Sequence, residues 1–312
     1  MAWNDMAARK LSTRDLRIFL AVVQTGSMAK AAKTLATSQP AISKAVADME
    51  QSLGVRLLDR SRKGVEPNAY GLVVVKCGIA VFDELKQRID EIAFLTDPTA
   101  GDLRIGCPDP VAAGLVRTII DRLLQKHPRM RFCIVTESLN QQLRDRNVEL
   151  VINRISDEVV EDDFDVETLY HDTIRVVAGA SNPLVRRRKL RLADVAHERW
   201  VFAKPEGPLW SYVVKAFQAQ GLNAPRAAVT TNSYHMRYSL LTTGRFLSVR
   251  ANLSLEFQYR QPMLKALPIE LPTTLAPVAI LTLKNRTLTP VARLFIEHAR
   301  ETAKPLQKKR DT

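Results

Sequence analysis

Between Ser27 and Lys63 the sequence SMAKAAKTLATSQPAISKAVADMEQSLGVRLLDRSRK gathers short hydrogen-bonding side chains and cations on a helix-forming background. Ser27, Thr37, Ser38, Gln39 and Ser43 can donate to or accept from base edges. Lys44, Arg60, Arg62 and Lys63 can neutralise phosphates, and Pro40 sets where a helix begins. Hydrogen-bonding groups that enter a groove read sequence, and cations beside it fix position. Catalysis finds no comparable cluster. The chain has no Gly-Xaa-Ser-Xaa-Gly elbow, no P-loop and no GxGxxG after a strand. His127, His171, His197, His235 and His298 show no metal-ligand spacing with the cysteines. No metal and no cofactor is expected.

Two helices must carry that chemistry. Met28, Ala31, Ala32 and Leu35 recur at helical spacing, with Ser27 placed to cap the first turn. Ala36-Thr37-Ser38 leaves room only for a tight turn. Gln39-Pro40 then restarts a helix, because proline's missing N–H costs little in a first turn. Ile42, Ala45, Val46, Met49 and Leu53 form its apolar stripe, which leaves Ser38, Gln39, Ser43, Lys44 and Ala47 on the other face. A preceding helix from Ser12 or Thr13 to Thr25, with Leu16, Phe19, Leu20 and Val23 turned inward, closes the small core. Gly54 suits a left-handed stop. Two short extended runs after it flank a basic, Gly-containing tip, the makeup of a β-wing.

On these residues the chain resembles the LysR-type transcriptional regulators. The family pattern is matched by Leu16, Phe19, Gly26, Ser27, Ala31-Ala32, Leu35, Ser38-Gln39-Pro40, Ser43, Glu50, Leu53-Gly54, Leu57, Arg60 and Gly71. Leu58 stands where the family usually has Phe, and Asn68 where it usually has Thr; both replacements keep the local role. The resemblance implies an α+β multidomain protein. A winged helix-turn-helix DNA-binding domain spans 1–68 and a linker helix that pairs subunits spans 69–98. A two-lobed α/β, periplasmic-binding-protein-like effector domain takes 99–312, with lobe I at about 99–170 and 274–303 and lobe II at about 171–273. It also implies double-stranded DNA with an inverted-repeat operator as partner, a small-molecule effector, a homodimer or homotetramer, and contact with RNA polymerase.

Composition agrees with that outline. The 312 residues suit two or three domains, and 46% apolar content is ordinary for a globular protein. Lys and Arg number 46 against 33 Asp and Glu, a net charge of +13, and cations outnumber anions between Arg9 and Lys63. Counterion release gives such a surface salt-sensitive affinity for nucleic acid. No apolar run reaches membrane-spanning length and the start MAWNDMAARK lacks an export signal, so a cytoplasmic location is expected. Cys77, Cys107 and Cys133 are few, scattered and odd in number, as in a reducing compartment.

From Ala69 to Leu95 the residues Leu72, Val75, Ile79, Phe82, Leu85, Ile89 and Ile92 recur at spacings of three and four. The pattern alone fits a paired helix or one packed on its own domain; the resemblance implies pairing. Beyond the turn-rich 97–102, strands alternate with helices, which predicts parallel sheets. Ligands gather at the carboxyl ends of such strands. The resemblance makes the loops there the effector cleft, with Pro108, Asp109, Pro110, Ser138, Asn153, Arg154, Lys204, Asn232 and Ser233 as its candidates. Each also suits an ordinary polar loop. Asp109 departs from the family's usual Ser or Thr and should disfavour small anions unless Lys204 or Arg154 offsets it. Carboxylates beside Asn and Ser suit sugar or polyol hydroxyls. The Ile-Asn-Arg segment 152–154 resembles the branch with sugar- and aromatic-acid-responsive members. The run Arg186-Arg187-Arg188-Lys189 reads as a solvated loop or a DNA or subunit contact.

Overall fold

The computed structural model describes residues 11–61, 64–155, 162–203, 208–252, 263–269, 271 and 276–308. The chain divides into two compact units, Met1–Ile89 and Asp90–Thr312.

In the first unit, α1 (Thr13–Thr25) opens on a reciprocal cap: Ser12 Oγ accepts from the Asp15 N–H at 3.1 Å, and the Ser12 N–H donates to Asp15 Oδ2 at 3.3 Å. Helices α2 (Met28–Thr34) and α3 (Gln39–Leu53) follow, joined by the turn at Ala36, whose φ is +50°. Ile42, Val46 and Met49 of α3 meet Phe19 and Val22 of α1 and Ala31 of α2 in one buried cluster. The inward face of α1 is broader than its expected stripe. Ile18, Ala21 and Val22 are buried beside Leu16 and Phe19, while Leu20 and Val23 are half-buried. The reason is a second neighbour. Leu20 lies against Gly78, where an added Cβ would stand 3.1 Å from Leu20 Cδ1. Gly78 thus admits a side chain of α1.

The wing is an antiparallel pair, β1 (Leu58–Ser61) and β2 (Gly64–Pro67), with Ser61 opposite Gly64. Glu50 of α3 anchors its start, since Oε1 accepts from the Leu57 N–H at 2.7 Å and the Leu58 N–H at 3.3 Å. Hydrogen bonds to a charged acceptor contribute about 1.5–3 kcal/mol. Glu50→Ala should therefore cost about 2 kcal/mol of the first unit's stability in urea unfolding, with Glu50→Gln intermediate. Equal midpoints for all three proteins would remove this role.

Asn68 caps α4 (Ala69–Thr96) as expected: its Oδ1 accepts from the Gly71 N–H at 3.0 Å, and its Nδ2 donates to the Arg56 carbonyl at 2.9 Å. Along α4, Leu72, Leu85, Ile89 and Ile92 of the expected stripe are exposed, with Leu95 at 77%.

The second unit holds two five-stranded sheets. Its elements run β3 (Ala100–Gly106), α5 (Asp109–Val111), a π-helical turn at Ala112–Val116, α6 (Arg117–Lys126), β4 (Arg129–Val135), α7 (Leu139–Arg144), β5 (Leu150–Arg154) and β6 (Phe164–Tyr170). Then follow β7 (Ile174–Gly179), β8 (Trp200–Phe202), α8 (Pro208–Gln218), β9 (Ala227–Thr230), α9 (Tyr234–Thr242), β10 (Leu247–Ala251), β11 (Leu264–Ala266), β12 (Val278–Leu283) and α10 (Pro290–Lys308). The first sheet has the order β4-β3-β5-β12-β6, and the second β11-β7-β10-β8-β9.

The sheets are mixed, not parallel throughout. β12 is antiparallel to β5 and β6, and β7 is antiparallel to β10 and β11. The chain passes from β6 in one sheet to β7 in the other through only His171-Asp172-Thr173, with no helix to cover a parallel crossover. β6 and β11, both at sheet edges, were outside the sequence-based expectation. In the first sheet Ile105, Leu150, Ile152 and Ile280 pack with Leu115, Ile119 and Phe295. In the second, Val176, Trp200, Phe202 and Val249 pack with Val213 and Phe217, and Trp200 Nε1 donates to the Val195 carbonyl at 3.0 Å.

Candidate DNA-reading surface and inter-lobe cleft

The outer face of α3 is built by subtraction. Ile42, Val46 and Met49 take one side into the core, so Gln39, Pro40, Lys44 and Ala47 are exposed and Ser43 is half-buried at its edge. Ser38 Oγ accepts from the Ala41 N–H and Ser27 Oγ from the Lys30 N–H, both at 3.4 Å. Each hydroxyl keeps its proton and a second lone pair for another partner. Thr37 is exposed in the turn between the helices. Arg60 pairs its backbone with Val65 in the wing, whereas Arg62 and Lys63 fall outside the described residues. Arg186, Arg187, Arg188 and Lys189 are all exposed.

The cleft candidates come from both sheets of the second unit. After β3, Pro108 precedes the first turn of α5, Asp109 is exposed and Pro110 half-buried. After β4, Ser138 is exposed with φ at +51°, a backbone conformation non-glycine residues rarely adopt. At the end of β5, Asn153 turns its Oδ1 onto the Arg154 N–H at 2.8 Å. Arg154 is engaged elsewhere. Its Nη2 meets Asp172 Oδ2 at 2.6 Å and its Nη1 donates to the Ala276 carbonyl at 3.3 Å. It thus clasps both chain crossings between the sheets. After β9, Asn232 is exposed, and Ser233 Oγ caps α9 by accepting from the Met236 N–H at 3.2 Å. Lys204 lies outside the described residues.

Three arginines, two on the second sheet and one on α9, stand at the same strand ends and were not singled out in sequence. Arg175 and Arg250 are direct partners across β7 and β10. Arg237 of α9 donates to the Thr231 carbonyl at 2.6 Å. Burial first, and then the charge of Arg250, push the Arg237 guanidinium below its usual range, while Tyr234 and Asp109 oppose that. No sequence periodicity pairs Arg175 with Arg250, because the register between two strands so far apart in the chain is a tertiary fact.

The Cys107 thiol is buried directly after β3. Burial, with the Asp109 charge adding to it, pushes its pKa up to about 12. Cys77 and Cys133 are exposed. A thiolate is the reactive form, so a disulfide reagent at pH 8 should modify two thiols in the native chain and the third only after unfolding. Three fast native equivalents would contradict the burial of Cys107.

Among the described residues no helix is long and apolar enough to cross a membrane, and no group of His, Cys, Asp and Glu could hold a metal.

Known proteins share these features. The family model "Bacterial regulatory helix-turn-helix protein, lysR family" matches residues 13–72, and "LysR substrate binding domain" matches residues 96–304. The chain is 28% identical to the HTH-type transcriptional regulator GbpR of Azospirillum brasilense over 294 residues, covering 93% of this chain and 86% of GbpR. It is 25% identical to the HTH-type transcriptional regulator TdcA of Escherichia coli (strain K12) over 293 residues, 93% and 92% of the two chains. In fold it is similar to the crystal structure of CbnR, a LysR family transcriptional regulator, with TM-score 0.60 at 20% identity over 94% of this chain and 99% of CbnR. A full-length OxyR variant from Pseudomonas aeruginosa gives 0.63 at 19% identity, covering 94% and 95%. With its helix-turn-helix and its two-sheet second unit both matched, the chain belongs to the LysR family: it is a DNA-binding transcriptional regulator with an effector-binding domain, and not an enzyme.

Proposed function

We propose that this regulator binds an inverted-repeat operator as a dimer or a dimer of dimers. Ser27, Thr37, Ser38, Gln39, Pro40, Ser43 and Lys44 would face the major groove, and Arg60, Arg62 and Lys63 of the wing the flanking phosphates. The observation that carries this reading is the polar outer face of α3, left open by the buried Ile42-Val46-Met49 stripe. Pairing through α4 suits its exposed Leu85, Ile89, Ile92 and Leu95, and two paired subunits present two recognition helices to two half-sites. A small molecule held by Pro108, Asp109, Pro110, Ser138, Asn153, Lys204, Asn232 and Ser233 would shift the arrangement of those pairs. Arg154 would support the cleft from the crossings. Such a ligand acts only by binding one arrangement better than the other. RNA polymerase is then the further partner that transcriptional control entails. The domain limits that fit this role are 1–68, 69–98 and 99–312.

The test is binding to the DNA upstream of the protein's own gene, titrated against salt and random competitor. Ser43→Ala should lose operator preference by about 1–3 kcal/mol at the position it reads, with random DNA bound as before. Arg62→Ala should weaken both and flatten the salt slope by about one. Equal losses on both DNAs for Ser43→Ala would take it out of base readout, and no binding to any DNA at low salt would overturn the reading.

A further inference from the structure

Arg175 and Arg250 lie directly opposite each other on antiparallel strands, so their side chains leave the same face of the second sheet. Like charges in that position repel. The pair is also poorly solvated: Arg250 is only 8% exposed. Its Nη1 donates to the Tyr234 hydroxyl, and its guanidinium carbon stands 4.3 Å from the centre of the Tyr234 ring and 5.8 Å from that of Tyr238. Arg237 joins the group, with its guanidinium carbon 5.9 Å from the Tyr234 ring centre. Two guanidinium nitrogens, Arg250 Nη2 and Arg175 Nε, are buried with no hydrogen-bond partner among the described residues. None of the three arginines forms an ion pair with a carboxylate among the described residues.

Burying a charge without a counter-ion is expensive, and three together are more so. Ring faces compensate only in part. The location supplies a reason for keeping them. β10 ends at Ala251, next to Arg250, and runs parallel to β8, which is parallel to β9, so the cluster sits at the carboxyl ends of three strands and beside the first turn of α9. From the first sheet, Asp109 is close enough to act on Arg237 electrostatically.

We infer that Arg175, Arg237 and Arg250 form an oxyanion-binding wall of the cleft, which takes the carboxylate or phosphoryl group of the effector. The inference rests on the cleft being the effector site and adds the chemical class of what binds there. A planar guanidinium fork meets a two-oxygen anion with parallel N–H bonds, and the two orphaned nitrogens are the donors such a ligand would use. Tyr234 and Tyr238 fix the Arg250 plane in advance. The negative charge of Asp109 works against an anion on that side, so removing it should favour binding. The polyol preference expected from Asp109 in the sequence gives way to an anion, since three cations outweigh one exposed carboxylate.

The experiment is calorimetric titration of the full-length chain at constant ionic strength with succinate, benzoate, inorganic phosphate and, as an uncharged probe, glucose. At least one of the three anions is expected to bind saturably at millimolar concentration or below. Arg250→Gln and Arg175→Gln should each weaken that anion by about tenfold to a hundredfold, the range for losing a charge-assisted hydrogen bond. Asp109→Asn should tighten it severalfold, a gain that no merely structural role predicts. Phosphate binding without the carboxylates would support the wall and assign it to a phosphoryl group; the reverse would assign it to an organic acid. Circular dichroism checks folding, and Arg175, the more exposed of the pair, serves if Arg250→Gln does not fold. Unchanged anion affinity in both arginine variants, or no anion binding at all, overturns the inference. Glucose binding alike to wild type and Arg250→Gln, with no anion bound, would overturn it while leaving the cleft itself an effector site.

Discussion

Gly71→Ala is expected to unfold the wing from the first helical turn of α4, at a cost of about 3 kcal/mol or more. A Cβ at position 71 would stand 2.1 Å from the Leu57 carbonyl oxygen and 3.0 Å from Pro67 Cβ. The first contact is with backbone, and that oxygen already accepts from the Asn68 N–H at 3.0 Å. The methyl cannot be accommodated by turning a side chain; α4 must move away from β1. Doing so strains the bonds that Asn68 makes to Arg56, Leu57 and Gly71. Gly78→Ala is the control on the same helix. There the added methyl meets only the Leu20 side chain, which can yield, and alanine gains about 1 kcal/mol of helix propensity over glycine. Urea unfolding should show a large loss for Gly71→Ala and a small change of either sign for Gly78→Ala. Operator binding of Gly71→Ala should fall as well, because the wing loses its footing. A Gly71→Ala chain as stable as wild type would mean that the wing and α4 do not meet as described.

Asp172→Ala should be the most damaging single change between the two sheets. Asp172 has a side chain only 4% exposed, and it accepts from Arg154 Nη2 at 2.6 Å and from the Thr173 N–H at 2.8 Å. Removing it leaves the Arg154 guanidinium, itself only a quarter exposed, without its counter-charge. Breaking a buried pair by losing one partner costs about 3–5 kcal/mol, and the residual exposure of Arg154 puts the expectation at the lower end. The loss is local in consequence. Asp172 lies in the first crossing and Ala276, the other partner of Arg154, in the second. Replacing both charges, as Arg154→Met with Asp172→Leu, should recover much of the stability, since most of the cost belongs to the unpaired charge. A double variant no better than Asp172→Ala would place the energy in packing, and a single variant within about 0.5 kcal/mol of wild type would dismiss the clasp.

Helix spacing and caps were legible without coordinates because both are local. Ser27 and Asn68 cap the helices that follow them and Gly54 ends one in the left-handed conformation, as read from the sequence; Ser12, Ser38 and Gly26 play the same parts without having been singled out for them. The α3 stripe was equally readable: its buried residues recur at three and four, and its polar face is what remains. The linker helix was predicted over nearly its whole length. Strand β6 was not, since FDVETLY carries acidic residues along its middle and only its ends are buried, as suits a sheet edge. The parallel sheets expected from alternation became mixed ones because the strand that enters each sheet from a crossing, β7 after His171-Asp172-Thr173 and β12 on the return, runs against both of its neighbours.

The family, the winged helix-turn-helix and the polar outer face of α3 were legible in the sequence, because those depend on residue types at fixed short spacings. Which arginines stand together at the strand ends was a matter of tertiary structure. Arg154, readable as a ligand contact at a strand end, is held by Asp172 and the Ala276 carbonyl, whereas Arg175 and Arg250, unremarkable in their own strands, become a directly opposed pair. The physical reason is range. A cap or a helical stripe is settled within a few residues, but the charge a guanidinium feels is set by whatever strand register and chain crossings place beside it.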